Sequence, residues 1–333
     1  MDSKRLVLHI SRVIPAVFIV WVIYNVIHYP RLFSIFLAKG IMQGAIYALI
    51  AVGIGLIYTT TGILNLAHGD IFMLAAVTST TLLVDILGAT SPSLTNYLYL
   101  VVVLLICVGL GALLSASVDA VVFRKLRKAP RIAPLIASLG VVLIFQNLGI
   151  IINGSGLKKF NSVIPQAPPY PELDPALKHM FYVLLLAVPA LLAISYLASR
   201  SKNGLAIGAV AHDHGTARMM GINVNKTITR TFLIAGAGAA VAGVIYAQEF
   251  RLTDYSLGMR VGLLAYAAAI IGGVNRIGGT IFGGFLIGII ESLNIGIPNA
   301  LGRNWSETVI YSVFILMLVY RPQGIIGYQE NNV

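Results

Sequence analysis

The sequence predicts an all-α polytopic bundle of about eight to ten membrane-spanning helices, some of them broken, and three observations lead there. Of the 333 residues, 58% are hydrophobic and only 11% charged, far from the balance of a water-soluble domain. Apolar runs long enough to cross a bilayer recur from one end of the chain to the other. The basic residues gather between those runs, as the positive-inside rule expects of loops on the inner face.

Each element follows from about 20 apolar residues per crossing. Spans fall near Val13 to His28, Phe33 to Ile57, Ile63 to Ile86, Tyr97 to Val122, Ile132 to Ile152, Met180 to Ala198 and Ile228 to Ala247. The region Val261 to Ile297 is interrupted near Asn275. Its first part, Val261 to Val274, holds roughly 14 residues and covers about two thirds of a hydrocarbon core, so it reads as half of a broken helix. A final span runs Thr308 to Tyr320. Residues 1–30 read as an N-terminal anchor-helix extension, because Lys4, Arg5 and Arg12 precede an apolar stretch with no small-residue cleavage pattern after it. Residues 31–327 form one membrane domain, and no stretch is charged or Pro-rich enough to mark a soluble one.

Lys and Arg outnumber Asp and Glu by 23 to 12. Each crossing swaps sides, so the basic residues test the span count. With the N-terminus inside, the inner loops receive Lys4, Arg5, Arg12, the cluster Arg124, Lys125, Arg127, Lys128 and Arg131, the cluster Arg200, Lys202, Arg218, Lys226 and Arg230, and then Arg276 and Arg321. The outer side receives Arg31, Lys39, Lys158, Lys159, Lys178, Arg251, Arg260 and Arg303. Both termini are then cytoplasmic, the chain is multi-pass in an inner (plasma) membrane, and the basic excess records topology rather than nucleic-acid binding. Asn153 to Lys178, rich in Pro and carrying Glu172 and Asp174, is expected as an external loop facing a soluble partner. The single cysteine, Cys107, lies in an apolar run and allows neither an internal disulfide nor a Cys-based metal site.

The most polar intramembrane stretch runs Thr59 to Asp70 and contains Asn65, His68 and Asp70. Polar groups at such depth need partners. Asp70 has two options, a bond to His68 or a cap on the following helix. The stretch is either a polar patch on a solute path or a satisfied hinge between helices. Gly272, Gly273, Gly278, Gly279, Gly283, Gly284 and Gly288 crowd the interrupted region. Small residues four apart let helices approach closely, and broken helices gather near solute pathways, so Gly272 and Gly273 join the pathway candidates beside tight packing as the plainer reading. A weak internal echo links Tyr47-Ala48, leading to Gly53 and Gly55, with Tyr266-Ala267, leading to Gly272 and Gly273.

Three motifs carry a resemblance. The run Gly44-Ala45-Ile46-Tyr47-Ala48-Leu49-Ile50-Ala51, then Ile57-Tyr58 and Gly62-Ile63-Leu64-Asn65-Leu66-Ala67-His68-Gly69-Asp70, resembles the high-affinity branched-chain amino acid ABC transporter permease family of the LivH type. That pattern usually has Phe before Ala-His-Gly and Glu after it, where this chain has Leu66 and Asp70. Gly204 to Gly221, with Asp213, Ala217 and then Ile222-Asn223, is similar to the family's cytoplasmic coupling segment near 200–230. Ala217 and Gly221 keep its Ala-x-x-x-Gly core, while Gly215-Thr216 replace the Glu-Ala that opens the general version. The third match runs Leu263 to Gly273, through Gly278-Gly279 and Gly283-Gly284, to Glu291.

The resemblance implies an ABC importer permease fold over 31–327. It also implies partners: a second homologous permease, two cytoplasmic ATP-binding subunits, an external solute-binding protein and a small polar solute. ATPase coupling then falls to Asp213, Ala217, Arg218, Gly221 and Asn223, and a short helix with small residues and basic flanks suits docking into a partner groove. Branched-chain amino acids are the default solute, with urea or short amides served by related permeases. From the residues alone, a secondary transporter or channel is the competing reading, although the chain is poor in the deep ionisable groups such a machine needs.

Catalysis finds no support. No Gly-x-x-x-x-Gly-Lys-Ser/Thr loop is present, so ATP hydrolysis is expected in a separate subunit. Gly236-Ala237-Gly238 mimics a dinucleotide fingerprint but sits in an apolar span of small residues. His212 and His214 flank Asp213 without a third metal ligand, so neither metal nor cofactor is expected. Asp119 near Arg124 is expected as a snorkelling helix-end charge. Glu291 and Glu307 suit a pathway or helix ends equally well.

Overall fold

The computed structural model describes residues 21–127, 129–130, 132–164, 175–298, 300–321 and 323–327. The anchor expected before residue 21 and most of the Pro-rich loop lie outside the described residues, and residues 21–28 are helical.

Helix α1 (Pro30–Thr61) opens with Pro at its first position, where a missing N–H costs nothing, and stops at Gly62, whose left-handed backbone (φ 67) returns its N–H to the Tyr58 carbonyl. Its 32 residues exceed the expected span at both ends, because Thr59, Thr60 and Thr61 satisfy their hydroxyls on carbonyls one turn back and so stay helical. A non-helical link brings the chain to α2 (His68–Thr80), which continues as a π-turn to Ile86 and therefore starts later than Ile63. Then come α3 (Leu94–Val118, prolonged to Leu126), α4 (Ile132–Asn153) and α5 (Pro175–Ser199). Two short helices, α6 (Lys202–His212) and α7 (His214–Met219), precede α8 (Val224–Phe250). The interrupted region resolves into α9 (Leu257–Gly272) and α10 (Ile277–Gly296), and α11 (Ser306–Tyr320) closes the bundle.

Among the described residues seven helices are long and apolar enough to cross a membrane, with α9 a shorter apolar one. In α1 89% of the most apolar window is buried, against 28%, 28% and 22% for α3, α4 and α5, so α1 is the central post and those three form the apolar outer wall. Helices α1 and α10 cross antiparallel through glycines on both: a β-carbon on Gly44 would stand 2.6 Å from Phe285 Cα, and one on Gly40 2.7 Å from Ile289 Cα.

The described helix ends sort into two groups. At one end, His214 Nε2 lies 2.9 Å from the Thr60 carbonyl, Arg230 donates to Asn203 at 2.8 Å, and Ile325 N donates to the Ile271 carbonyl, so the basic loops and the chain's last described residues share this basic end. At the other, β1 (Lys158–Lys159) pairs antiparallel with β2 (Leu252–Thr253), Lys158 pairs with Asp85, and Gln248 accepts from Ser162 and Val163.

Asp119 departs from expectation. It is fully buried, ion-paired with Arg127, and accepts a 2.8 Å bond from Thr229 of α8. Arg124 stands 3.7 Å away and itself donates to Thr229. A helix-end carboxylate snorkels only when water is nearer than a partner, and here α8 supplies the partner.

Candidate functional site

Asn65, His68 and Asp70 are brought into the middle of the bundle and are buried to 2%, 0% and 0% exposure. Their side chains do not bond one another, and the backbone links two of them, His68 N donating to the Asn65 carbonyl at 3.2 Å. Chain 65–70 climbs alongside α9: the Tyr266 hydroxyl donates to the Asn65 carbonyl, Gly69 lies against Gly262, and Asp70 lies against Gly258 in the first turn of α9. The His68 ring turns the other way, over Gly53 of α1. All six side-chain N and O atoms of the three residues lack a closed hydrogen bond, although Gln146 reaches toward Asp70 and the Ile50 backbone toward His68.

Depth follows from helix rise. Gly53 lies eight residues before the end of α1, about 12 Å in from the basic end, and Phe72 meets Tyr246, four residues or about 6 Å from the opposite end of α8. His68 thus sits near mid-depth. Gly272 and Gly273 sit elsewhere, at the basic end: a β-carbon on Gly272 would stand 3.0 Å from Gly283 N, and Gly273 (φ 110) turns the chain against Gly327. In this conformation both are filled by backbone.

The segment from Ser201 to Lys226 is built by three caps. Ser201 accepts from Gly204 N at 3.0 Å, Asp213 from Thr216 N at 2.5 Å and Asn223 from Lys226 N at 3.1 Å, starting α6, α7 and α8 in turn. The Thr216 N–H and hydroxyl hold the exposed Asp213 carboxyl below its usual pKa. Ala217 is buried on the bundle side, and Ile222 N returns to its carbonyl. Gly221 turns left-handed (φ 81) into open space. Arg218 is exposed, and beside it Met219 and Met220 stand 82% and 78% exposed. Sequence inspection missed these two methionines, although an unbranched apolar pair in a basic loop is itself a docking signal.

Among the described residues no group of three or more His, Cys, Asp or Glu side chains could hold a metal ion. Glu291 is half-buried on α10 and accepts a 2.7 Å bond from the Tyr47 hydroxyl, so it is no free helix-end charge.

The family profile described as "Branched-chain amino acid transport system / permease component" matches residues 36–318. The chain is 30% identical over 301 residues to the high-affinity branched-chain amino acid transport system permease protein BraD of Pseudomonas aeruginosa, covering 88% of this chain and 95% of that one. It is 28% identical to the LivH permease protein of Escherichia coli, covering 88% and 94%. Among solved structures, PsaBC from Streptococcus pneumoniae in complex with Fab aligns at a TM-score of 0.48 with 17% identity, over 92% of this chain and 97% of that chain.

Proposed function

The chain belongs to the family of branched-chain amino acid transport system permease components, and from that premise we propose that it is the membrane-spanning permease subunit of an ATP-driven importer for branched-chain or related amino acids. It is an integral membrane protein of an ABC assembly with ATP-binding and substrate-binding partners.

The assembly we infer has a second homologous permease, two cytoplasmic ATP-binding subunits that hydrolyse ATP, and an external solute-binding protein. The membrane is the inner one, with both termini cytoplasmic, because the basic loops gather at the end that carries the docking segment. Residues 31–327 act as one permease unit and residues 1–30 as its anchor extension.

One observation carries the coupling role: α7 and its exit hold Met219 and Met220 outward while Ala217 and His214 tie the same turn to the bundle. A helix presenting flexible apolar side chains can enter a groove on a soluble partner. Asp213 caps its start, Asn223 caps the start of α8 just beyond it, Arg218 flanks it, and Gly221 supplies a left-handed turn that side chains rarely adopt. Movement of α7 would pull on Thr60, and through the Gly62 turn on the Asn65, His68 and Asp70 stretch, whose unpartnered polar atoms gain partners when the bundle opens to water and solute. Gly272 and Gly273 would let α9 and α10 pivot beside that path.

Gly221→Leu tests this. Reconstituted with its ATPase subunits, the variant should insert normally yet lose uptake while ATP is still consumed; normal ATP-driven uptake would remove the docking role. Solute uptake by the purified chain alone, down an ion gradient, would instead favour a secondary transporter.

A further inference from the structure

A second group of polar side chains meets away from the Asn65 to Asp70 stretch, toward the end of the bundle opposite the basic loops. Glu291 lies five residues from the end of α10, about 7 Å along its axis, and Arg260 is the fourth residue of α9. Tyr47 of α1 donates to Glu291 Oε2 at 2.7 Å, and Gln43, one turn earlier, donates to the Tyr47 hydroxyl at 2.7 Å. Tyr47 is 2% exposed, so this chain of bonds fixes the carboxylate's direction from inside the core. Arg260 lies within electrostatic reach of Glu291 and beside the buried Tyr246 hydroxyl of α8. No ion pair closes between Arg260 and Glu291 themselves.

Opposite charges near each other in a low-dielectric bundle attract strongly, and each of these rides a different helix that is itself pinned by glycine contacts. Gly258 and Gly262 hold α9 against α2, while Gly284 and Gly288 hold α10 against α1. Along the antiparallel α9–α10 pair Gly272 meets Gly279 and Ala268 meets Gly283, a progression that brings Arg260 level with Glu291, so an exposed cation and a half-buried anion stand at the same height of the bundle. A solute that carries both charges on neighbouring atoms complements that arrangement, and one that carries neither does not.

We propose that Arg260 and Glu291 form a zwitterion site at the solute entrance, where Glu291, aimed by Tyr47 and Gln43, takes the α-ammonium of an amino acid and Arg260 takes its α-carboxylate. This rests on the amino-acid permease reading above and sharpens it, since urea and short amides have no charges to engage either residue. Glu307, exposed in the first turn of α11, adds negative potential on the Glu291 side.

The test uses the complete importer in proteoliposomes, with L-leucine and ATP supplied and its binding protein present. Wild-type failure to take up any amino acid would sink the functional reading rather than the site. With wild-type uptake in hand, Glu291→Gln and Arg260→Gln should each lower the maximal uptake rate by about tenfold or more, while Arg260→Lys, which keeps the charge, retains most of it. Co-purification of the ATPase subunits checks assembly. Should Glu291→Gln not assemble, the Arg260 pair decides alone, because that side chain is exposed and its loss leaves the packing intact. Wild-type rates in Arg260→Gln, or an Arg260→Lys variant as inactive as Arg260→Gln, would overturn the site.

Discussion

The His68 ring on α2 lies over Gly53 on α1 so closely that a β-carbon at position 53 would stand 2.8 Å from His68 Cε1 and 3.2 Å from the Ala235 carbonyl. Three helices thus meet at one glycine, and the unpartnered imidazole is held in place by the absence of a side chain there.

Gly53→Ala should therefore destabilise the bundle by roughly 1–3 kcal/mol, the usual cost of overpacking. Gly109→Ala is its control, because nothing lies within 4 Å of that position and alanine favours a helix by about 0.5–1 kcal/mol. Unfolding of both variants in detergent gives the comparison, and a Gly53→Ala protein as stable as Gly109→Ala would show that the ring moves aside freely.

Asp119→Ala leaves the Arg127 guanidinium, only 16% exposed, facing a void that Thr229 cannot fill, and should cost about 3 kcal/mol. A double variant that also replaces Arg127 by Met should recover part of that loss. Additive losses in the cycle would mean the pair contributes nothing jointly.

The difference between Asp119 as expected and Asp119 as found shows where sequence reading stops. Its partner Thr229 is 110 residues away, and hydropathy says only that a charge sits at a helix end. The same limit applies to Asn65 and Asp70, whose surroundings come from Tyr266 and Gly258 on a helix about 190 to 200 residues further on. Features encoded locally were legible: the break near Asn275 announces itself in Gly272-Gly273 and Gly278-Gly279, and the basic loops reveal which helix ends lie together. The paired tyrosines of the internal echo were visible too, and each donates its hydroxyl across the bundle, Tyr47 to Glu291 on α10 and Tyr266 to Asn65 in the link before α2. The two-residue strands β1 and β2 were not, being too short for any period of alternation.

Asp213 gives α7 a defined acid limit. Its folded-state pKa is lowered by the Thr216 bonds, so the cap's contribution is complete above the ordinary carboxylate value, about 3.9, and is lost as pH falls through the depressed one. Hydrogen exchange of the α7 amides, corrected for intrinsic rates, should show constant protection from neutral pH down to about 4 and a decline below. Asp213→Asn keeps an acceptor and should flatten that decline, whereas Asp213→Ala should lower protection at every pH. A decline that persists in Asp213→Asn would assign the acid sensitivity to another group.

His214 is the remaining lever, because it joins α7 to the end of the central post. A carbonyl only accepts, so the ring donates its Nε2–H to the Thr60 oxygen at 2.9 Å. Removing the ring in His214→Ala leaves Ala217, Met219 and Met220 in place to dock, yet cuts the one side-chain bond from α7 to α1 seen among the described residues. The expected outcome is a split: ATP hydrolysis by the assembled importer stays within about twofold of wild type, while amino acid taken up per ATP consumed falls by roughly threefold or more, a loss of under 1 kcal/mol in coupling. Parallel measurement of phosphate release and leucine uptake in the same proteoliposomes reads that ratio. If both rates fall together, His214 holds the ATPase on rather than transmitting its motion, and the relay must run through the α8 cap at Asn223 instead.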